Sequence, residues 1–449
     1  MAVHLNDARC ALMLADGGVR AEPAFAWLHG DGLSVGNAAF SESRRHPRSV
    51  NNRFLSTLST DPMRDARFSH LTSADLAAAL LEDLLAEHRN REVVFVVPGF
   101  FDKPALGVLL GIAGELNVEV SALVDASVAA SRRLFDGAEL VNFELGLHAS
   151  VLTLIDQQAE LNVVKHVVLE DCGLEALRQR WLEMIAGQFV EQSRFDPLHS
   201  ADVEQVTLNA LSAWLSDARR GATVTAVVKY AGLEHQAELD PLMLQEAVGG
   251  IYQRIADALR ALSSAGRATT VQLDASADAL PGFSEYLRSR AAAELFVIDA
   301  DAPLQGALAR LSAVKRLGPR RLVRSLPPDQ AAVTSAAAQQ DSAADRPSHV
   351  LLGATARVLN GEALIIGSGS GDASRRIHLP DGLAGVSQNH CSIHQESDGC
   401  VLSDHSRYGT YLNGNRVHGS TLLRSGDVVR VGTPGVELKL IRVMADDGS

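Results

Sequence analysis

The sequence predicts an α/β domain over residues 1–317, joined by a flexible linker over 318–348 to an all-β module over 349–445. The chain of 449 residues is too long for one ordinary hydrophobic core. Up to residue 317, strand patterns alternate with helix patterns, which is typical of an α/β fold. After residue 348 only short strands separated by turn residues follow, which indicates a β-sandwich or barrel.

The composition is that of a folded, acidic protein. Hydrophobic residues make up 46% of the chain and the formal net charge is −13. This charge argues against general nucleic-acid binding, because phosphates require a basic face. The four cysteines are widely spaced and form no CxxC pair, so neither a disulfide framework nor a zinc ribbon is expected. The N-terminus lacks a signal-peptide pattern, and the apolar run 93–101 is too short to span a bilayer. We therefore expect a cytoplasmic location and no membrane span.

The first half of the α/β region predicts a parallel or mixed sheet with helical crossovers. Residues 2–18 alternate and predict two strands joined by a tight turn at Asp16–Gly18. Residues 73–89 carry leucines at helical spacing, with Ser73 as the predicted N-cap. The continuous apolar run 93–98 predicts a strand buried on both faces, and a helix, a strand and another helix follow it.

The second half, residues 139–315, repeats this order of elements. Three segments between 139 and 170 predict an antiparallel meander, and two long helices follow. Strands and helices then alternate up to residue 315. The repetition is one of element order and not of residues.

Residues 318–348 predict the linker between the two domains. Large apolar residues are almost absent after Leu326, and Ala, Gln, Ser, Asp and Pro dominate. A short helix through 331–340 is the alternative, but that helix would have no apolar face to bury.

Five motifs of the C-terminal module resemble the forkhead-associated (FHA) domain, a small β-sandwich that reads phosphothreonine peptides. The family pattern has Gly-Arg, Ser-Arg-x-His, Ser-x-Asn-Gly-Thr, Asn-Gly and Leu-x-x-Gly-Asp. The corresponding segments are Gly367-Ser368, Ser387–His390, Ser406–Thr410, Asn413-Gly414 and Leu423–Asp427. The resemblance covers nearly all of 349–443 and implies an all-β FHA sandwich.

The same resemblance implies a peptide-binding edge built from loops. Ser387 would contact phosphate, and the matched positions along this edge are Ser368, Ser387, Gln388, Ser406, Arg407, Tyr408 and Asn413. In the family, the positions of His390, Gly409 and Thr410 mostly brace the loops.

Three residues that hold phosphate in the family are replaced in this chain. Phosphothreonine presents close to two charges and three acceptor oxygens, which an arginine fork satisfies well. Ser368 and Gln388 stand where the family has arginine, and Tyr408 stands where it has asparagine. Nearby basic residues would compensate unless they are merely solvated loop charges; they are Arg375, Arg376 and Arg407. We therefore expect this module to dock a protein partner by shape, or to bind phosphothreonine peptides weakly.

A histidine and cysteine cluster in the same module raises the question of zinc. It consists of His390, Cys391, His394 and Cys400. On a strand, His390 and His394 face one side and Cys391 faces the other, so they cannot share one tetrahedron. No metal site is predicted.

Residues 93–131 and 172–181 resemble the ATPase domain of DnaK-type heat-shock chaperones and of the actin superfamily. In the chaperones a strand ending in Val-Pro-Ala leads into a Phe-containing loop, a helix, a strand and an Asn-Glu-Pro-Thr-Ala-Ala helix. Here the first strand ends Val97-Pro98-Gly99, and the later helix begins within Val124–Ala130. The resemblance covers about 1–316 and implies an α/β two-lobed actin/DnaK-like ATPase fold with ATP held between the lobes.

The loops that hold nucleotide in that family are degenerate here. The first phosphate hairpin has His4 and Asp7 in place of a carboxylate and a hydroxyl. The second has Glu144 and keeps Gly146, and the adenosine turn has Asp274 without its glycine pair. Side chains thus occupy positions where backbone N–H groups would approach phosphate, and Asp7 would repel an anion. We expect no cofactor, although ATP is the one that the fold would take.

The leading hypothesis is a non-catalytic scaffold or regulatory interaction protein. It would combine a pseudo-ATPase domain with an FHA module that docks a protein partner, with no nucleic acid involved. One alternative is a divergent ATPase of the chaperone type, and the other is a phosphothreonine-peptide reader in kinase signalling.

Overall fold

The computed structural model divides into two compact units, Met1–Gln330 and Ala331–Ser449. It describes residues 1–329 except 31, 65–67, 87, 89–90, 220–222 and 265, and residues 347–441 except 353–354, 360–362, 370–374, 380–384, 397–398, 407–408, 413–414, 418–419, 424 and 433–434. The side chains of 396, 399, 415, 416 and 422 are not described.

The N-terminal unit is mixed α/β. Its first elements are β1 (Ala2–Asn6), β2 (Arg9–Met13), β3 (Val19–Glu22), β4 (Ala26–His29), β5 (Gly32–Val35), α1 (Gly36–Phe40), β6 (Val50–Asn51), α2 (Ser73–Leu85), β7 (Val93–Val97), α3 (Lys103–Glu115), β8 (Val120–Asp125) and α4 (Ala126–Ala130). The later ones are β9 (Ala138–Leu145), β10 (Ala149–Gln157), β11 (Leu161–Glu170), α5 (Leu174–Ser193), α6 (Ala201–Ala218), β12 (Val224–Tyr230), β13 (Leu233–Leu239), α7 (Pro241–Leu262), β14 (Ala268–Asp274), α8 (Ala275–Asp278), α9 (Phe283–Ala291), β15 (Glu294–Ile298), α10 (Ala302–Ala309), α11 (Leu311–Lys315), β16 (Leu322–Val323) and β17 (Ser325–Leu326).

Two sheets of six strands organise this unit, and both follow the same plan. The first sheet has the order β16-β8-β7-β1-β2-β3, and the second has the order β15-β14-β9-β10-β11-β17. In each sheet the three strands that come first in the chain pair in antiparallel fashion. Two later strands are then added in parallel on the outer side of the first strand. The predicted repetition of element order is therefore present as a repeated strand topology.

The first sheet is buried on both faces, as the apolar run of β7 predicts. All five residues of β7 are buried. Helices α2 and α3 cover one face through Leu76, Leu80 and Ile112, and α10 covers the other through Leu304. Helices α5 and α7 pack with the second sheet in a core centred on Trp181, whose indole N–H donates to the carbonyl of Leu244.

Two local predictions need correction. The first tight turn lies at Asp7–Ala8, between β1 and β2, because the Asn6 side chain accepts the Ala8 N–H at 2.9 Å and closes a turn there. The turn at Asp16–Gly18 joins β2 to β3 instead. The N-cap of α2 is Thr72, which forms a capping box with Asp75, whereas Ser73 donates to the carbonyl of Thr57.

The N-terminal unit extends beyond the predicted boundary at 317. Strand β16 pairs with β8, and β17 pairs with β11. Val323 and Leu326 are buried, and the Arg132 guanidinium donates to the Asp329 carboxylate at 2.9 Å. The predicted linker is therefore wrong over residues 322–329, because two apolar residues in a polar segment were enough to add a strand to each sheet. Residues 330–346 lie outside the described residues.

The C-terminal unit is a β-sandwich, as its strand pattern predicts. Its strands are β18 (His349–Leu352), β19 (Thr355–Val358), β20 (Leu364–Gly367), β21 (Arg376–His378), β22 (Cys391–Glu396), β23 (Gly399–Asp404), β24 (Thr410–Leu412), β25 (Asn415–Arg416), β26 (Ser420–Leu423), β27 (Val428–Val431) and β28 (Val436–Ile441). They form two sheets, β19-β18-β28-β27-β24-β25 and β21-β20-β22-β23-β26. The core between these sheets includes Ile366, Leu402 and Val429.

We predict that Leu326→Ala destabilises the N-terminal unit by about 2–5 kcal/mol, the usual cost of emptying a buried leucine site. The Leu326 side chain is fully buried, whereas Leu317 is 38% exposed. Leu317→Ala is the matched control and should change stability by less than about 0.5 kcal/mol. Urea unfolding followed by tryptophan fluorescence reports this unit alone, because Trp27, Trp181 and Trp214 all lie in it. Equal midpoints for the two variants would show that β17 is not part of the cooperative fold.

Candidate functional site

The loops after β20 and before β22 meet at one edge of the sandwich. The Ser368 N–H donates to the Ser387 carbonyl at 3.2 Å, and the Gly369 N–H donates to the Gln388 carbonyl at 3.0 Å. A Cβ atom at Gly367 would lie 2.2 Å from the Gln388 carbonyl oxygen, so a side chain there would force the loops apart. The structure thus brings together three of the predicted peptide-binding residues, Ser368, Ser387 and Gln388.

His390 braces this edge from inside. Its side chain is buried; Nδ1 accepts the Ser387 N–H at 3.1 Å, and Nε2 lies 3.3 Å from the Gly409 carbonyl oxygen. This pairing requires the proton on Nε2, because Nδ1 is the acceptor. Burial lowers the pKa of His390, which keeps the ring neutral and the Ser387 contact intact. His390 therefore connects the Ser387 loop to the backbone at Gly409.

Asp404, which the sequence analysis did not single out, organises the second loop. Its carboxylate accepts the Ser406 N–H at 3.0 Å and the Thr410 hydroxyl at 2.8 Å. Burial by itself would raise the pKa of Asp404, but these hydrogen bonds outweigh burial and lower it. Ser406 Oγ accepts the Gly409 N–H at 2.7 Å, and Gly409 has a φ of +98°, which favours glycine. The signal in the sequence that could have identified Asp404 is its position two residues before the loop residue Ser406.

Arg376 adds a cation to the edge. It lies on β21, which pairs with β20. Nη1 donates to the Gln388 carbonyl at 2.8 Å, and Nη2 donates to the Asn389 side chain at 2.6 Å. These two bonds hold the guanidinium beside the Ser387 loop. The remaining predicted peptide-binding residues, Arg407, Tyr408 and Asn413, lie outside the described residues.

In the N-terminal unit, the β1–β2 turn binds the β9–β10 turn directly. The Leu147 N–H donates to the Asp7 carboxylate at 2.6 Å. The Asn6 amide donates to Glu144 at 3.0 Å, and His4 Nε2 lies 3.2 Å from the same Glu144 oxygen. Four of the five predicted nucleotide-loop residues, His4, Asp7, Glu144 and Gly146, therefore come together. Asp274 instead caps α8 by accepting the Ala277 N–H at 2.8 Å.

The space between these two turns is filled by protein. Leu147 is fully buried and packs with Phe25 and Ala39. Gly146 is needed because a Cβ atom there would lie 2.8 Å from an Asp7 carboxylate oxygen. At the start of α5, the N–H groups of Leu174 and Glu175 donate to the carbonyls of Gly146 and Leu147. These donors, which would otherwise suit an anion, are thus occupied by the turn itself.

Asp7 is buried, and its burial has an electrostatic cost. Desolvation raises the pKa of Asp7 to about 6, and the nearby Glu144 carboxylate adds to the rise. The hydrogen bond from Leu147 opposes the shift but does not cancel it. At neutral pH this turn therefore carries a desolvated negative charge, which disfavours a phosphate group beside it.

Two other predictions concern metals and membranes. Among the described residues, no group of three or more His, Cys, Asp or Glu side chains could hold a metal ion. Cys391 and Cys400 are buried, and burial raises the pKa of these thiols to about 12 and about 11. Within the same residues, every helix is too short or too polar to cross a membrane.

We predict that Asp7→Asn raises the free energy of unfolding of the N-terminal unit at pH 7.5 by about 3 kcal/mol, because a rise of two pKa units corresponds to that cost. The folded-state pKa lies above the unfolded value of 3.8, so the wild type loses stability as pH rises from about 4 to 6. The advantage of the variant should therefore shrink as pH falls towards 4.

Urea unfolding at several pH values measures this effect, with the exposed turn residue Asp16→Asn as control. A variant that is less stable than the wild type throughout the pH range would contradict the assignment of Asp7 as a desolvated carboxylate.

One of two comparisons with known proteins matches the C-terminal unit. A search of curated proteins finds no match to this chain. A scan against protein families matches residues 364–432, which contain the Ser368, Ser387 and His390 edge, to the FHA domain. The comparison therefore supports an FHA domain in the C-terminal unit.

Proposed function

We propose that this protein is a cytoplasmic, non-catalytic interaction protein. Its FHA domain docks a phosphothreonine-containing partner, and its N-terminal unit is an actin/DnaK-like two-lobed fold that serves as a scaffold and neither binds nor hydrolyses ATP. The observation that carries the proposal is the direct contact between the β1–β2 and β9–β10 turns through Asp7 and Leu147.

The repeated strand plan supports the two-lobed fold. An actin/DnaK-like domain has two lobes, and each lobe places a phosphate hairpin at the first turn of its sheet. Five strands of each sheet share one order, whereas β16 and β17 join opposite edges, and the turns that bind each other are the first turns of both sheets. The segments 93–131 and 172–181, which resemble the chaperones, contribute β7, β8 and α5 to the same framework.

The chemistry of the turns supports the absence of a nucleotide. A phosphate-binding hairpin needs free backbone N–H groups and no negative charge. Here the Leu147 N–H is bonded to Asp7, Asp7 is ionised at neutral pH, and Leu147 fills the space. Opening the turns to admit phosphate would expose Leu147 and break the Asn6–Glu144 hydrogen bond.

The FHA edge supports phosphopeptide docking through a rearranged set of donors. Phosphate recognition needs at least one cation with directional N–H groups, together with loop donors. The two loop arginines of the family pattern are Ser368 and Gln388 here, but Arg376 lies on the neighbouring strand with its guanidinium held at the Gln388 carbonyl. Ser387, which the resemblance makes a phosphate contact, is held in place by His390.

We expect a phosphothreonine-peptide library to yield binders, and Ser387→Ala and Arg376→Gln should each weaken the best one about tenfold or more. Hydrogen bonds to charged groups contribute about 1.5–3 kcal/mol, which corresponds to this loss. Fluorescence polarisation with phosphorylated and unphosphorylated peptides measures it. Arg357→Gln, on β19 in the opposite sheet, removes an equal charge and should have no effect. Binding that ignores the phosphate would instead favour docking by shape.

For the N-terminal unit, we expect 5 mM Mg-ATP, a concentration of about 100 times a Kd of roughly 50 μM, to leave Tm unchanged. A ligand at 100 times its Kd stabilises the native state by about 2.7 kcal/mol, which would move Tm by several degrees. Differential scanning fluorimetry with a salt-matched control measures the shift. Steady phosphate release that disappears in Glu144→Ala would contradict the proposal and favour the divergent ATPase.

A further inference from the structure

A groove of about 610 Å³ lies beside α3 in the N-terminal unit. Its lining comes from α3 and the loop before it, from β8, and from the segment that contains β16. The apolar floor of the groove consists of Phe101, Leu106, Leu110, Leu123 and Leu322. Of these, Leu106, Leu110 and Leu322 are only half-buried, so part of the floor is open to water. A partner that covered this floor would gain free energy by burying apolar surface.

Four exposed cations line the same groove and form its basic rim. They are Lys103, Arg320, Arg321 and Arg324. In the part of the chain that the structure describes, none of these four side chains makes a hydrogen bond or an ion pair. The one acidic residue of the lining is Asp102, whose carboxylate accepts the Ala105 N–H at 2.9 Å and so caps α3. The groove therefore combines an apolar floor with an excess of positive charge.

The other cations of the β16 segment have carboxylate partners. Residues 315–324 contain five cations and no acidic residue, in a chain whose net charge is −13. Lys315 pairs with Glu92, and Arg316 lies 3.5 Å from Glu160. The three arginines that follow have no such carboxylate among the described residues. Exposed cations alone are ordinary, because water solvates them well; it is their position around an open apolar floor that indicates a binding surface.

We propose that this groove docks an acidic amphipathic helix of a protein partner, with its apolar side chains on the floor and its carboxylates at the basic rim. Charge complementarity identifies the occupant as acidic, and an apolar groove suits the apolar face of a helix. A Cβ atom at Gly107, which lines the groove, would have no neighbour within 4 Å, so the partner's backbone has room to approach α3 there.

The exposure of the rim favours a protein segment over a small molecule. A site for a small molecule usually encloses its ligand and orients it with a few polar groups inside the pocket. Here every cation of the lining is exposed, as the polar rim of a protein–protein interface is. This docking surface goes beyond the proposed function, which assigns no partner to the N-terminal unit.

Fluorescence polarisation of the full chain with a labelled peptide of glutamate and leucine tests the proposal. The peptide has about 18 residues, or five helical turns, with its leucines at helical spacing. One comparison peptide has lysine in place of every glutamate, and another has serine in place of every leucine. The acidic amphipathic peptide should bind at least about tenfold more tightly than either. Salt at about 1 M should weaken its binding, because exposed charges are then screened beyond about 3 Å.

Two pairs of variants locate the binding. Arg320→Gln combined with Arg321→Gln should weaken binding about threefold to tenfold, since exposed ion pairs contribute little each. The matched control is Arg288→Gln with Arg290→Gln, which removes two exposed arginines from α9 and should bind like the wild type. Gly107→Glu places a side chain and a negative charge in the groove and should weaken binding about tenfold. Gly114→Glu makes the same change on α3 outside the lining and should have no effect.

Melting curves without peptide separate loss of binding from loss of fold. Both glycine variants should melt at or above the wild-type Tm, because a Cβ atom at either position has no close neighbour and glutamate favours a helix more than glycine does. Three results would overturn the proposal: no binding of the acidic peptide at about 1 mM, the weak limit of specific association; equal binding of the glutamate and lysine peptides; or binding to Gly107→Glu that equals the wild type. Sedimentation with phosphatidylserine vesicles but no peptide binding would also overturn it and assign the basic rim to a membrane surface.

Discussion

The contact between the β1–β2 turn and the β9–β10 turn is the constraint on which the N-terminal unit depends. It joins the two sheets through a buried carboxylate, a backbone N–H group and a leucine side chain, all at the first turn of each sheet. Gly146 permits this approach, since a Cβ atom there would collide with Asp7. The two turns thus form a packed joint, and the charge of Asp7 at neutral pH disfavours an anion beside it.

The FHA domain depends on a similar close approach of backbone to backbone. The carbonyls of Ser387 and Gln388 press against Gly367, and the hydrogen bonds from Ser368 and Gly369 fasten the two loops together. His390 completes the arrangement from within, because only its neutral form accepts the Ser387 N–H. The Ser387 loop is therefore held through both its carbonyl and its N–H group, and a preorganised loop loses less conformational entropy when a ligand binds.

Much of the fold was accessible from the amino-acid pattern. The leucine spacing of α2, the continuous apolar run of β7 and the meander of β9 to β11 were all predicted, because hydrophobic period reports directly on burial. The shortest strands could not be predicted from hydrophobic periodicity. Strands β16 and β17 have two residues each in a polar segment, so no period can be read from them, and partners more than 150 residues earlier in the chain define them.

The candidate sites, like the fold, could be predicted from the sequence only in part. The sequence by itself determined which residues stand at positions 4, 7, 368 and 388, and the family resemblances predicted from His4, Asp7, Ser368 and Gln388 that ligand-binding groups are replaced. Only the tertiary structure decided what the replacements do. Asp7 meets Leu147 and Arg376 reaches the Gln388 carbonyl, because each of these contacts joins separate parts of the chain. The distance between two side chains and their removal from water both depend on tertiary packing, so neither can be read from the order of residues alone.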